Sequence, residues 1–223
     1  MFGSILKSSL LSLALAGLFV GCGHDDDKIP AEFELSVTNM TNFQPLSPVG
    51  VVLHDSASFF TLGEKASVDL EKMAESGDNS GLLALGKTST STAGVLLPGE
   101  TATLMITRKY DEMKLSVGTM LVNTNDAFTG VDAYAISAMK VGETVVFNTN
   151  AYDAGTEANS EAAGTIPGPA DGGEGFNATR DDVDLVRMHA GVVTKDDGLS
   201  SSVLTEQAKF DNAVMRVSLK RIK

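Results

Sequence analysis

The segment Phe33-Glu34-Leu35-Ser36-Val37-Thr38 alternates strictly between apolar and polar residues. Successive side chains of a β-strand point to opposite faces, so this pattern predicts a strand with one buried face and one solvated face. The same alternation returns at residues 101–107 and again at residues 214–220, close to the C-terminus. Sheet-forming segments therefore extend over most of the chain, which predicts an all-β fold.

Shorter apolar or β-branched runs, bounded by turn residues, lie between these segments. We expect strands at residues 49–53, 114–122, 132–137, 143–148 and 183–193. A helix is predicted at residues 67–77, which begin with a serine cap, carry acids early and end at a glycine, and a second helical turn at residues 80–85. The sequence thus predicts an antiparallel β-sandwich of about eight strands with one or two short helices.

The N-terminus has a different character. An apolar run extends from Leu10 to Val20, after a single charge at Lys7, and leads into Gly21-Cys22. The run is too short to span a bilayer as a helix but has the length of a signal-peptide core. A small residue directly before a cysteine resembles the lipobox of bacterial lipoproteins, in which the signal is removed and the cysteine carries a lipid. We therefore expect residues 1–21 to be a lipoprotein signal peptide.

Cys22 is the only cysteine, so the chain cannot form an internal disulfide. The alternative for Cys22 is an ordinary buried thiol, but its place at the end of the apolar run favours lipidation. Residues 22–32 are polar and charged and are interpreted as a tether, followed by one domain at residues 33–223. We expect an exported protein whose lipid on Cys22 anchors it to the bacterial cell envelope, at the outer membrane or the cell surface.

The chain is acidic, with a formal net charge of −12. Residues 1–21 contain one positive charge, Lys7, and no negative charge, so residues 22–223 carry a net charge of −13. This charge argues against binding to nucleic acid, which requires a basic face, and against unaided binding to anionic lipid headgroups. It is compatible with cations or with basic partners.

The sequence favours a protein that is not an enzyme. It contains no Gly-x-Ser-x-Gly, no His-Glu-x-x-His and no phosphate-binding loop. We interpret His54 and His189 as ordinary hydrogen-bonded residues near strand ends. A carboxylate glycan hydrolase remains an alternative, and it would require two carboxylates about 5–10 Å apart in an open cleft.

Acidic and amide residues occur in two predicted loops, at residues 123–130 and 152–157. If the strands at 114–122, 132–137 and 143–148 form a meander, alternate strands run parallel and both loops emerge at the same end of the sandwich. Carboxylates gathered there would repel one another unless a cation lay between them. Ca²⁺ accepts oxygen ligands on flexible loops, so it is the cation that would suit such a site. The spacing of these residues alone favours the other interpretation, an acidic, solvated loop end without metal.

Several segments occur in the order found in one protein family. The opening segment, residues 33–54, resembles the start of spondin N-terminal domains in bacterial proteins. Asp126-Ala127-Phe128-Thr129-Gly130 is similar to the family's Asp-Trp-Phe-x-Gly, and Tyr152-Asp153-Ala154-Gly155-Thr156-Glu157 is similar to its Asp-Ala-Gly-Thr-Asp. The likeness covers nearly all of residues 33–223.

The resemblance implies an antiparallel β-sandwich and one Ca²⁺ held by Asp126, Asp153 and Glu157. Glu157 stands where the family has Asp, and Ala127 stands where it has Trp. The implied role is a surface or periplasmic binding or adhesion domain whose partner is a matrix component, an envelope glycan or a protein. A structural envelope lipoprotein without metal is the alternative.

Overall fold

The computed structural model describes residues 30–223. The predicted signal peptide, Cys22 and most of the predicted tether lie outside the described residues. Within residues 30–223, no helix has the length and apolar character that crossing a membrane requires.

The described residues form strands and a few short helices. The strands are β1 (Glu32–Asn39), β2 (Gly50–His54), β3 (Thr88–Ser91), β4 (Thr101–Thr107), β5 (Lys114–Met120), β6 (Ala127–Ala135), β7 (Thr144–Thr149), β8 (Ala151–Asp153), β9 (Arg187–Met188) and β10 (Met215–Arg221). The α-helices are α1 (Val68–Ser76) and α2 (Ser80–Leu83), and single 3₁₀ turns occur at Lys195–Asp197 and Glu206–Ala208.

The strands form two sheets, in the orders β4-β1-β10-β7 and β3-β2-β5-β6-β8-β9, with antiparallel pairing between neighbours. The predicted antiparallel β-sandwich with short helices is therefore confirmed. Residues 30–223 contain ten strands rather than about eight. The strands that the sequence did not indicate, β3 and β8, have only four and three residues, too few for a clear alternating pattern. The strand expected at residues 183–193 is reduced to the two residues of β9.

The main core lies between the two sheets. Phe33, Leu35 and Val37 of β1 are fully buried, whereas the residues between them are partly exposed, as the alternation predicts. These side chains share one apolar cluster with residues of the facing sheet, including Leu53 and Val117. Burying a side chain of this size contributes about 1.5–3 kcal/mol, so this layer is a main source of stability.

Helix α1 covers the other face of the six-stranded sheet. It begins at the predicted position because the Ser67 hydroxyl accepts the amide of Leu70 at 3.1 Å, and it ends at Gly77, whose φ of 73° is left-handed. Leu70 and Met73 pack in a second apolar cluster with Phe128 of β6. The helix therefore approaches the start of β6, where the candidate site lies.

The meander expected of three consecutive strands is wrong. Strand β7 pairs with β10 in the four-stranded sheet, and the chain then crosses to the other sheet, where β8 pairs with β6. Strand β6 also begins at Ala127, inside the segment expected to be a loop. In the β6–β8 ladder Ala127 lies opposite Asp153, so Asp126 and Asp153 nevertheless lie at the same end of the sandwich.

Candidate metal centre

Asp126 organises the centre. It directly precedes β6 and its side chain is fully buried. Its Oδ2 accepts hydrogen bonds from the amide of Thr156 at 2.8 Å, the amide of Glu157 at 3.1 Å and the hydroxyl of Thr156 at 3.3 Å. The carboxylate therefore holds the loop that follows β8 against the start of β6.

The second carboxylate oxygen of Asp126, Oδ1, is buried and has no hydrogen-bond partner among the described residues. Leaving a buried acceptor unpaired costs about 1–3 kcal/mol, and more when the group is charged. Burial, and then the nearby charge of Asp153, raise the pKa of Asp126 to about 7. Oδ1 is thus an open acceptor that a proton or a cation would satisfy.

Asp153 ends β8, is also buried, and is balanced by an internal cation. Its Oδ1 accepts the amide of Gly155 at 2.7 Å, and its Oδ2 accepts the side-chain amide of Asn159 at 2.7 Å. Arg187 of β9 donates to the same Oδ2 through Nε at 3.2 Å and Nη2 at 3.1 Å, and it also pairs with Asp182. The Arg187 guanidinium therefore compensates part of the negative charge of Asp153.

Glu157 is half-buried and lies in an acidic environment. Burial is the largest cause that raises its pKa to about 8, followed by the charges of Glu75 and Asp126. Glu75 belongs to α1, is only 1% exposed and accepts the amide of Asn177 at 2.9 Å. Burial raises the pKa of Glu75 as well. The helix thus adds a fourth acid to the centre.

Sequence reasoning missed Glu75 because it was assigned to a helix rather than to a loop. A signal was present, since Glu71 and Glu75 are four residues apart and lie on the helix face that buries Leu70 and Ala74. Acids on the core-facing side of a helix require a partner. For Glu71 that partner is Arg180, whose Nη2 lies 2.6 Å from Oε2.

The long segment after β8 is fixed to the domain beside these acids. Gly155 has a φ of 71°, and a Cβ there would lie 2.3 Å from the carbonyl oxygen of Leu185, so only glycine fits. The amide of Asp184 donates to the Gly155 carbonyl at 2.7 Å, and Arg180 binds both Asp184 and Glu71. These bonds hold the loop that carries Glu157 against α1.

Of the predicted residues, Asp126 is therefore the one that interacts with both others: the charge of Asp153 acts on Asp126, and the charge of Asp126 acts on Glu157. In the described part of the chain, no three histidine, cysteine, aspartate or glutamate side chains are arranged so that they could hold a metal ion as they stand. The structure thus shows a cluster of buried acids with one open oxygen, rather than a closed set of ligands.

The two domain histidines are hydrogen-bonded, as expected. The Nε2 of His54 lies 2.8 Å from the hydroxyl of Ser116, and the Nδ1 of His189 accepts the amide of Gly191 at 2.9 Å. Cys22, the predicted lipidation site, lies outside the described residues.

Neither a protein-family model nor a curated protein sequence matches the chain. The fold and the geometry of the centre define the protein as an antiparallel β-sandwich with a cluster of buried carboxylates at one end.

Proposed function

We propose that this protein is an exported, lipid-anchored binding module of the spondin N-terminal type. It holds one Ca²⁺ through Asp126, Asp153 and Glu157, and the loops around the ion contact a matrix component, an envelope glycan or a protein partner. The observation that carries the proposal is the fully buried Asp126, whose Oδ1 has no partner among the described residues.

Electrostatics supports a cation at this position. The raised pKa values of Asp126 and Glu157 mean that their negative charges are disfavoured where they lie. A divalent cation reverses this effect, because it stabilises the ionised form of every carboxylate around it. Carboxylate oxygens are ligands that Ca²⁺ prefers.

The residues fit the ion to different degrees. Two amides already hold Oδ2 of Asp126, so Oδ1 is oriented before any ligand arrives. The Glu157 carboxylate adds a longer, half-exposed arm that can adjust to the ion. Asp153 joins the ligand set in competition with Arg187, which occupies its Oδ2. When bound, Ca²⁺ would link the turn before β6 to the loop after β8.

The test is thermal unfolding with chelator and with millimolar Ca²⁺. Ligand at a hundredfold excess over Kd stabilises the folded state by about 2.7 kcal/mol, which is a shift of a few degrees for a domain of this size. We expect that shift in the wild type, and we expect Asp126→Asn and Asp153→Asn to lose most of it. Mg²⁺ should shift the melting temperature less, because it sheds water reluctantly.

Glu34→Gln is the matched control, since Glu34 is an acid of β1 near the opposite end of the sandwich. It should keep the full calcium shift. Equal melting temperatures of the wild type with chelator and with Ca²⁺ would instead support a metal-free structural role, in which Arg187 alone balances Asp153.

A further inference from the structure

A second candidate site is a cavity of about 670 Å³ at the other end of the six-stranded sheet. Its walls come from the end of β2, from the segment after α2 and from the connection between β4 and β5. His54, in its wall, lies opposite Lys114 at the start of β5, whereas Asp126 follows the end of β5. Pockets for small molecules measure about 300–1,000 Å³, so the volume is suitable for one.

One wall of the cavity presents a buried acid. Glu112 is only 3% exposed, and its Oε2 accepts the hydroxyl of Thr88 at 2.9 Å. Its Oε1 is buried without a hydrogen-bond partner among the described residues. This oxygen is an acceptor that requires a donor, and a charged donor such as an ammonium group binds a carboxylate more strongly than a neutral donor does.

The same wall presents an unpaired imidazole nitrogen. Ser116 uses its single hydroxyl proton to donate to Oδ1 of Asp132 at 2.9 Å, so toward Nε2 of His54 it can only accept. Nε2 therefore carries the proton, and Nδ1 of the neutral ring is an acceptor. Burial lowers the pKa of His54, which keeps the ring neutral at pH 7. Nδ1 has no partner among the described residues.

The cavity is also lined by three cations, Lys87, Arg108 and Lys109. Within residues 30–223, none of the three forms a salt bridge. Lys87 instead lies over the ring of Tyr110, 5.2 Å from its centroid. The lining also contains three acids, Asp55, Asp111 and Glu112, so the cavity carries both signs of charge. The three cations suit the anionic group of a ligand that also carries a positive group.

Two contacts fix the position of chain segments at the cavity. A Cβ at Gly86 would lie 2.0 Å from the carbonyl oxygen of Leu53, so the segment after α2 lies directly against β2. Asp132, which fixes Ser116, also accepts the amide of Phe59 at 2.7 Å. This bond holds the segment that follows His54.

We propose that this cavity binds a small zwitterion, such as a free amino acid or a short peptide with both ends free. Glu112 Oε1 and His54 Nδ1 are buried here, so a side-chain shift exposes them to the ammonium group of the ligand. The carboxylate of the ligand binds Lys87, Arg108 and Lys109. A simple cation would leave these three side chains unpaired, and a simple anion would leave the two buried acceptors unpaired. The site does not depend on the calcium proposal.

Isothermal titration calorimetry with glycine and triglycine tests this inference on the purified chain. We expect saturable binding of at least one of them. N-acetyl-triglycine lacks the ammonium group and triglycinamide lacks the carboxylate, so each should bind at least about tenfold more weakly than triglycine if triglycine binds. The inference is overturned if neither zwitterion binds, or if the blocked peptides bind as well as triglycine.

Glu112→Gln keeps the volume and an acceptor for Thr88 but removes the charge, and we expect it to weaken binding at least about tenfold. Arg108→Gln should weaken it through the carboxylate. Lys220→Gln, on the outer face of the four-stranded sheet, is the matched control and should bind as the wild type does. If Glu112→Gln does not fold, the exposed Lys87→Gln and Lys109→Gln decide, and unchanged affinity in both contradicts the assignment.

Discussion

The main-chain amide of Glu157 donates a hydrogen bond to Oδ2 of Asp126 over 3.1 Å, so the backbone of one acid is bound to the side chain of the other. Their pKa values rise to about 7 for Asp126 and to about 8 for Glu157, in each case mainly through burial. Both groups therefore change protonation close to neutral pH, and this makes the centre sensitive to pH and to cations together.

Calcium binding should release protons and should tighten as the pH rises from about 6 to about 9. The fold raises the pKa values of Asp126 and Glu157 above their ordinary range. The two groups therefore contribute most to folding stability at acid pH, where they are protonated, and this contribution is lost as the pH rises through about 7 and about 8. Ca²⁺ requires the ionised forms and reverses this loss. Calorimetric titration in buffers of different ionisation enthalpy measures the released protons.

Glu157→Gln is the informative variant for this linkage, because it removes one titrating group and keeps most of the side-chain volume. It should release fewer protons than the wild type for each ion bound. A wild-type titration whose heat is the same in every buffer would contradict the linkage, and Glu34→Gln should behave as the wild type does.

Replacing Arg187 by glutamine should raise the affinity for Ca²⁺ several-fold. Arg187 donates to Oδ2 of Asp153 and also pairs with Asp182, so it competes with any cation for the charge of Asp153. Without it, the metal-free protein should be less stable, because a buried carboxylate loses its partner. The added Ca²⁺ should then give a larger melting shift than in the wild type.

Arg216→Gln is the control for the change in net charge, since Arg216 lies on β10 and binds Asn148 at 3.0 Å on the exposed face of the other sheet. Its calcium affinity should differ little from that of the wild type. Equal affinities for Arg187→Gln and Arg216→Gln would show that Arg187 does not compete with the ion.

Alternation along the chain predicted the sandwich because it reports which face of a strand is buried, and β1 shows this at Phe33, Leu35 and Val37. It could not assign β7 to a sheet, because Thr144–Thr149 alternates in the same way whichever strand it pairs with. Asp126 and Asp153 lie at the same end of the sandwich although the meander was wrong, since β8 takes the place expected for β7. Long-range pairing decides such details.

The side chains that interact with the candidate residues could not be predicted from the sequence either. Arg187 lies 34 residues from Asp153, and only the short β8–β9 pairing brings the two together. The charge of Glu75 acts on Glu157 because α1 packs on the sheet. Local patterns report burial and turns, whereas contacts of this kind depend on the folded topology.

Cys22→Ser should abolish lipid attachment and block normal processing of the precursor. The reason is that Cys22 directly follows the apolar run and is the only thiol in the chain. Metabolic labelling with a fatty-acid analogue measures the attachment. Adding Ser36→Cys to this variant supplies a thiol elsewhere, and it should not restore labelling. Unchanged labelling of Cys22→Ser would refute the lipobox hypothesis.

The hydrogen-bond chain from His54 through Ser116 to Asp132 makes a prediction about a tautomer. Because the Ser116 proton is committed to Asp132, His54 should carry its proton on Nε2. Nitrogen-15 NMR of the imidazole distinguishes this form from the Nδ1-protonated ring. Ser116→Ala removes the acceptor of both the His54 Nε2–H and the Ala133 amide, which should destabilise the fold by at least about 1–3 kcal/mol in urea unfolding. Ser36→Ala, which removes an exposed hydroxyl of β1, should change stability by less than about 0.5 kcal/mol. A ring protonated on Nδ1 would mean that the Ser116 hydroxyl donates to His54, and Nδ1 could then no longer accept the ammonium group of a ligand in the cavity.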